Sequence, residues 1–195
     1  FKEMWGFTFF IFLSMIVDQL NWNIGKFLLG RMIGTVAVAV YGVASQLNSM
    51  YMVLSTSVSS VFIPRVNYIV AQSDNSNELN KLFIKVGRIQ FLIVGLIITG
   101  YIIFGKEFIA IWAGYEEAYI IGLFLMIPVT VALIQNLGIE IQRAKNKHRV
   151  RSVVYLLAAI TNVIISIPFI KLWGASGAAV GTAISLIAGS VLFMN

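Results

Sequence analysis

Six long stretches of the chain are nearly free of charge, and short polar segments separate them. Residues 4–25 lie between Glu3 and Lys26 and contain one charge, Asp18. No charged residue occurs over the 33 residues from Met32 to Pro64. Further apolar runs occupy residues 89–105, 118–139, 152–170 and 172–195. A helix needs roughly 20 residues, rising about 1.5 Å each, to cross a hydrocarbon core of about 30 Å. Every run but the second matches that length. Segments of about 10 residues with strict alternation, the mark of a membrane barrel, are not seen. The pattern predicts an all-α, polytopic membrane protein with six transmembrane helices, at about 4–25, 33–64, 89–105, 118–139, 152–170 and 172–195.

Composition supports this reading. Only 11% of residues are charged and 59% are apolar, against about 25% and about 45–50% in soluble domains. The mean hydropathy is +0.90. With 195 residues, six spans leave no room for a separate soluble domain. The chain opens at Phe1 without a signal-peptide pattern and stops at Asn195 inside an apolar run, so it is expected to be a fragment of a longer protein.

The net charge of +6 resides in the connections between apolar runs. Lys2, Arg65, Lys81, Lys85, Arg88, Arg143, Lys145, Lys147, Arg149 and Arg151 share one side of the predicted topology, while Lys26, Arg31, Lys106 and Lys171 share the other. Ten against four places the N-terminus and both basic loops in the cytoplasm. A nucleic-acid partner is not expected from that distribution.

The chain has no cysteine, which excludes disulfides, thiolate metal sites and cysteine nucleophiles. His148 is the single histidine, so no His-Glu-x-x-His metal motif exists. No phosphate-cradling glycine loop followed by Lys-Ser/Thr is found. The chain is not expected to be an enzyme, to hold a metal or to carry a cofactor.

Asp18 is the most informative residue. A carboxylate in a helix centre costs about 2.5–3.5 kcal/mol on insertion scales, so it requires a partner or water. It is either an ion, proton or polar-substrate site, or a carboxylate near the outer interface paired with Lys26 or Arg31. Counting helical rise, Asp18 lies about 21 Å from the start of its span, and Asn162 and Thr182 each about 15 Å into theirs. These three are candidates for one oxygen layer that would suit sodium, or a proton on Asp18. Asn21, Asn23, Gln46, Asn48, Gln90, Gln135 and Asn136 are candidate polar groups of a wet interior cavity. The alternative for each is a bond between neighbouring helices.

The basic run of Arg143, Lys145, Lys147, Arg149 and Arg151 suits a pyrophosphate or anionic headgroup, besides orienting the chain. Pro128 removes the hydrogen bond to the Phe124 carbonyl and predicts a kink. Pro168 and Gly174 bracket the last connection. Gly177, Gly181, Ser185 and Gly189, four residues apart, form a ridge of small residues that allows close helix approach.

The segments Asp18-Gln-Leu-Asn-Trp-Asn-Ile-Gly25, Gly34-Thr-Val-Ala-Val-Ala-Val-Tyr41 and Val61-Phe-Ile-Pro-Arg65 resemble the second lobe of polysaccharide flippases. So do Gly105-Lys-Glu-Phe-Ile-Ala-Ile-Trp-Ala-Gly114, Gln142-Arg-Ala-Lys-Asn-Lys-His148 and Trp173-Gly-Ala-Ser-Gly-Ala-Ala-Val-Gly-Thr-Ala-Ile-Ser185. These belong to the multidrug/oligosaccharidyl-lipid/polysaccharide exporter superfamily. The resemblance implies two six-helix lobes about a central cavity, with this chain as the second and an N-terminal lobe missing. It implies turning of a polyprenyl-pyrophosphate-linked oligosaccharide from the inner to the outer leaflet of the cytoplasmic membrane, for capsule, O-antigen or similar lipopolysaccharide synthesis. A polysaccharide polymerase is an implied partner beside membrane lipids. Some relatives bind a coupling cation with a carboxylate on the first helix of this lobe and polar groups on the last two. Asp18, Asn162 and Thr182 resemble those positions. Spans five and six hold no second carboxylate, so Na+ coupling, H+ coupling and no coupling remain alternatives. An exporter of drugs or cations, a lipid II flippase and a non-transporting scaffold subunit are the competing readings.

Overall fold

The computed structural model describes Phe12, Gln19 and residues 22–72, 76–144 and 148–194, without side-chain detail at 148–156, 158 and 189–194. Every element among the described residues is an α-helix. Backbone contacts divide the chain into one unit of Phe1–Gly42 with Arg149–Asn195, and another of Val43–His148.

In the first unit, helix α1 covers residues 22–32, so it continues past Lys26, where the charge pattern ends the first span. The rest of that expected span lies outside the described residues. Gly34, with φ 128°, ends α1: its N–H donates to the Leu29 carbonyl at 3.0 Å. Such positive φ is open to glycine at little steric cost. Helix α2, Thr35–Ser60, begins directly after it and passes into the second unit at Val43. Along α2 the hydroxyls of Ser49, Thr56 and Ser57 donate to carbonyls four residues earlier, at 2.9, 3.0 and 2.7 Å. These local bonds let an apolar span carry hydroxyls without stranding them in lipid.

Helix α3, Ile63–Gln72, starts after a two-residue break, with Pro64 in its first turn where a missing N–H costs nothing. The long uncharged run 33–64 is thus one span plus the entry to α3. Helix α4, Ser76–Ala113, has 38 residues, about 57 Å of helix. It contains the expected span 89–105 and extends well beyond it at both ends. Gly114 (φ 73°) caps α4, donating to the Ile109 carbonyl at 3.1 Å. Four residues on, α5 (Ala118–Ile134) returns antiparallel to α4. Tyr101 and Tyr119 clasp this end: each hydroxyl donates to a carbonyl of the facing helix, Tyr119 and Ile102, at 3.1 and 3.0 Å.

The expected fourth span is broken. Alpha-5 runs through Pro128 without interruption, and the chain instead bends by 47° between α5 and helix α6, Asn136–Ala144. Gln135 carries the bend, with φ −98° and ψ 7° outside the helical basin. The Pro128 ring removes one helical bond, whereas Gln135 changes the backbone direction.

Amphipathic α3 and α6 and the first turns of α4 enclose a small core of Val66, Ile69, Leu79, Val86 and Leu137, flanked by Phe62, Phe83 and Ile141. Arg65 donates to Glu78 at 2.5 Å across its rim.

Helix α7, His148–Met194, holds the last two expected spans. It stays helical through Lys171–Trp173 and turns at Gly174 alone (φ 58°, ψ −131°). In a straight helix residues 166 and 181 stand about 22 Å apart. Here a Cβ added at Gly181 would strike Ser166 Oγ and sit 2.9 Å from Ser166 Cα, and one at Gly177 would strike the Phe169 carbonyl. The two arms therefore fold back on each other as an antiparallel hairpin.

Among the described residues, Thr35–Ser60 and Ser76–Ala113 are long and apolar enough to cross a membrane, as is the stretch Ala159–Ala188 by length and composition, although it contains the turn at Gly174. The bent pair α5 and α6 makes a fourth if counted as one span. Leu92, Leu96, Ile111 and Leu172 are largely exposed apolar side chains, a surface suited to hydrocarbon.

Candidate functional site

Among the described residues two buried polar layers are present, one in each unit. In the first unit Thr182 of α7 meets Tyr41 of α2, and Gly174 lies beside Ile33, just past the end of α1. Asn162 and Ser166 on one arm, and Thr182 and Ser185 on the other, are all at most 2% exposed. Ser166 Oγ donates to Asn162 Oδ1 at 2.8 Å. Thr182 Oγ1 donates to the Ala178 carbonyl at 3.0 Å, and Ser185 Oγ to the Thr182 carbonyl at 2.8 Å. The Tyr41 hydroxyl lies 3.5 Å from Thr182 Oγ1. With the Thr182 proton directed at Ala178, Tyr41 is the group able to donate across that contact. Gly25 of α1 leaves room for the Tyr41 ring, whose hydroxyl would be 3.0 Å from a Cβ there.

Asn162 and Thr182 are thereby brought to facing arms, linked through Ser166, which sits against Gly181. Asp18 lies outside the described residues, as does Asn21. The layer offers neutral oxygens from an amide and hydroxyls, the donor type that hard cations take. Among the described residues no three His, Asp or Glu stand close enough together to hold a metal ion.

In the second unit the layer runs along α2 through Asn48, Tyr51, Ser55 and Ser59. Tyr51 Oη donates to Thr130 Oγ1 of α5 at 2.7 Å, because the Thr130 proton is directed at the Met126 carbonyl, and lies 3.4 Å from the Val94 carbonyl of α4. Ser55 donates to the Leu133 carbonyl at 3.4 Å. Gln90 Nε2 donates to Ser59 Oγ at 2.5 Å and to the Ser55 carbonyl at 3.3 Å. Asn48 Oδ1 and Gln90 Oε1 are buried without a partner among the described residues.

The other candidates are dispersed. Asn23 is exposed and donates to the Gln19 carbonyl at 2.9 Å. Gln46 is exposed, Gln135 forms the bend and Asn136 opens α6, both half-buried. Arg143 pairs with Glu140 at 2.7 Å. Lys145 and Lys147, and the side chain of Arg149, lie outside the described residues.

Tyr41, Tyr51, Ser59, Thr130 and Ser166 were not singled out from sequence. A signal for part of this set exists: Asn48, Ser55 and Ser59 recur at helical spacing inside a charge-free run. Tyrosine and serine are too common in membrane helices for that spacing alone to mark a site.

Fold and buried layers together define an all-α, multi-pass membrane protein. Residues 1–117 match the family model described as polysaccharide biosynthesis protein, and the chain belongs to that family. It is 20% identical over 169 residues to a Haloferax volcanii protein provisionally named flippase AglR, covering 85% of this chain and 35% of that protein. It is 24% identical over 181 residues to a Shigella dysenteriae protein provisionally named an O-antigen transporter, covering 90% of this chain and 43% of that protein. The chain thus spans less than half the length of these curated relatives. Neither name is that of an enzyme. No solved structure matches the chain.

Proposed function

We propose that the chain is one six-helix lobe of a flippase that carries a lipid-linked oligosaccharide across the cytoplasmic membrane. The lobe and its missing N-terminal counterpart rock between inward-open and outward-open states, as repeats do in other carriers. The N-terminus and the basic loops, with Arg143, Lys145, Lys147 and Arg149, face the cytoplasm, where they attract the anionic substrate headgroup. The exposed or half-buried Asn23, Gln46 and Asn136 serve the substrate path together with Asn21.

The observation that carries this reading is the oxygen layer of Asn162, Ser166, Thr182 and Tyr41, buried in a chain whose relatives are named as transporters. Asp18, the one carboxylate in the apolar run 4–25, supplies the charge that such a layer of neutral oxygens needs to couple transport to a cation or proton.

The test uses the full-length protein in cells that depend on it for surface polysaccharide. Asp18→Asn and Thr182→Val are expected to reduce export at unchanged membrane levels, with Asp18→Asn the more severe. Normal export from well-expressed Asp18→Asn refutes the coupling role. Apolar replacement tolerated at Asp18, Asn162 and Thr182 alike favours a scaffold subunit instead.

A further inference from the structure

We propose that a groove between α4 and α5 binds an anionic phospholipid of the surrounding bilayer. Its phosphate is held by Arg88 and one acyl chain lies along the groove. The site is separate from the oxygen layer and does not depend on which cargo the protein carries.

Lys81, Ile84, Lys85, Arg88, Phe91 and Leu92 recur at three- and four-residue intervals and share one face of α4. The face changes character along its length. Its first two turns carry Lys81, Lys85 and Arg88, and the uncharged run 89–105 begins immediately afterwards. Arg88 is thus the last charge before hydrocarbon, at headgroup level.

At that boundary the surface is concave. A groove of about 560 Å³ is bounded by Ile84, Gly87, Arg88, Phe91, Leu92 and Ile134, a volume within the range of small-molecule sites, about 300–1,000 Å³. Gly87 gives it depth: a Cβ there would lie 3.4 Å from the Ile134 carbonyl. The polar groups of its lining are the Arg88 guanidinium and the Gln135 amide, and no carboxylate lines it.

All three cations of the stripe are exposed, and none forms an ion pair among the described residues. By contrast, Arg65, Lys106 and Arg143 each have a carboxylate partner. Unneutralised cations above an apolar trough match a ligand with one negative charge and a hydrocarbon tail. Free phosphate would leave the trough unused. A saccharide-bearing lipid would need several hydrogen-bonding groups beside its phosphate, and the lining offers one amide. A phospholipid such as phosphatidylglycerol fits both ends.

Native mass spectrometry of the full-length protein tests the assignment by titration with dioleoylphosphatidylglycerol, dioleoylphosphatidylcholine, a polyprenyl phosphate and inorganic phosphate. Phosphatidylglycerol is expected to be retained in preference to the other three. Arg88→Gln and Lys85→Gln are each expected to weaken that retention about fivefold, and Gly87→Val to weaken it with all charges in place. Equal retention of the two phospholipids overturns the proposal, as does unchanged retention in the Lys85→Gln/Arg88→Gln variant. Displacement by polyprenyl phosphate assigns the groove to the carried lipid and also overturns it. The wild-type competition decides the matter by itself if a variant fails to fold.

Discussion

The hairpin of α7 makes a quantitative prediction at Gly177. A Cβ at this position would strike the Phe169 carbonyl of the opposite arm, and Ile170 N lies 2.9 Å from it. Both obstacles are backbone, so no side-chain rotation relieves the clash. Tolerable C···O contacts begin near about 3.3 Å, so the arms must part by roughly 1 Å. A gap of about 0.5–1 Å forfeits a quarter to a half of the attraction between facing atoms, and overpacking costs about 1–3 kcal/mol. Against this stands the gain of about 1 kcal/mol in helix propensity when alanine replaces glycine. Gly177→Ala is therefore expected to lose up to about 2 kcal/mol net, a factor of up to about 30 in the unfolding equilibrium, and to fall about 1–3 kcal/mol below a glycine-to-alanine change that meets no obstacle. Gly95→Ala, in α4, meets nothing within 4 Å and collects the propensity gain alone. Equilibrium unfolding of the full-length protein in mixed micelles, with both variants side by side, measures the difference. A Gly177→Ala variant as stable as Gly95→Ala refutes the close approach of the arms.

Tyr51→Phe is expected to cost about 0.6–1.7 kcal/mol in the same assay, because Thr130 keeps its own bond to the Met126 carbonyl at 2.8 Å. Tyr51→Ala, which also opens a cavity, is expected to cost about 3–5 kcal/mol; near-equal losses for the two variants refute the packing role. Pro128→Ala is expected to leave the bend between α5 and α6 unchanged, since Gln135 carries it. Spin-label distances between positions 120 and 143 check this, and a lengthened distance makes the proline the cause.

The span regions were legible because lipid excludes charge: the run of residues 89–105 lies within α4, and that of 118–139 covers α5 and the start of α6. Helix ends were less so. Lys26 does not stop α1, and Arg88 and Lys106 do not stop α4, since a helix continues readily into water where its charges are solvated. The broken fourth span shows the same limit. Pro128 is a recognised helix breaker, yet the turn falls at Gln135, which has no distinguishing chemistry along the chain. At the candidate site, Asn162 and Thr182 stood out through polarity in apolar surroundings. Ser166 and Tyr41 did not, because their role arises from which arm faces which. The turn at Gly174 creates that pairing, and its register depends on contacts eight to fifteen residues apart.

The small core under α3 and α6 belongs to a different solvent regime from the spans. Helices in hydrocarbon gain nothing from apolar contact as such, whereas Val66, Ile69, Leu79, Val86 and Leu137 sit where the helices carry Arg65, Glu78, Lys81 and Arg143. Their burial draws on the hydrophobic effect, with its large heat-capacity change and its weakening on cooling. The chain therefore carries one knot that water ties and lipid does not. Chilling or urea loosens this knot first, freeing α3 and α6 while the hairpin of α7 stays closed.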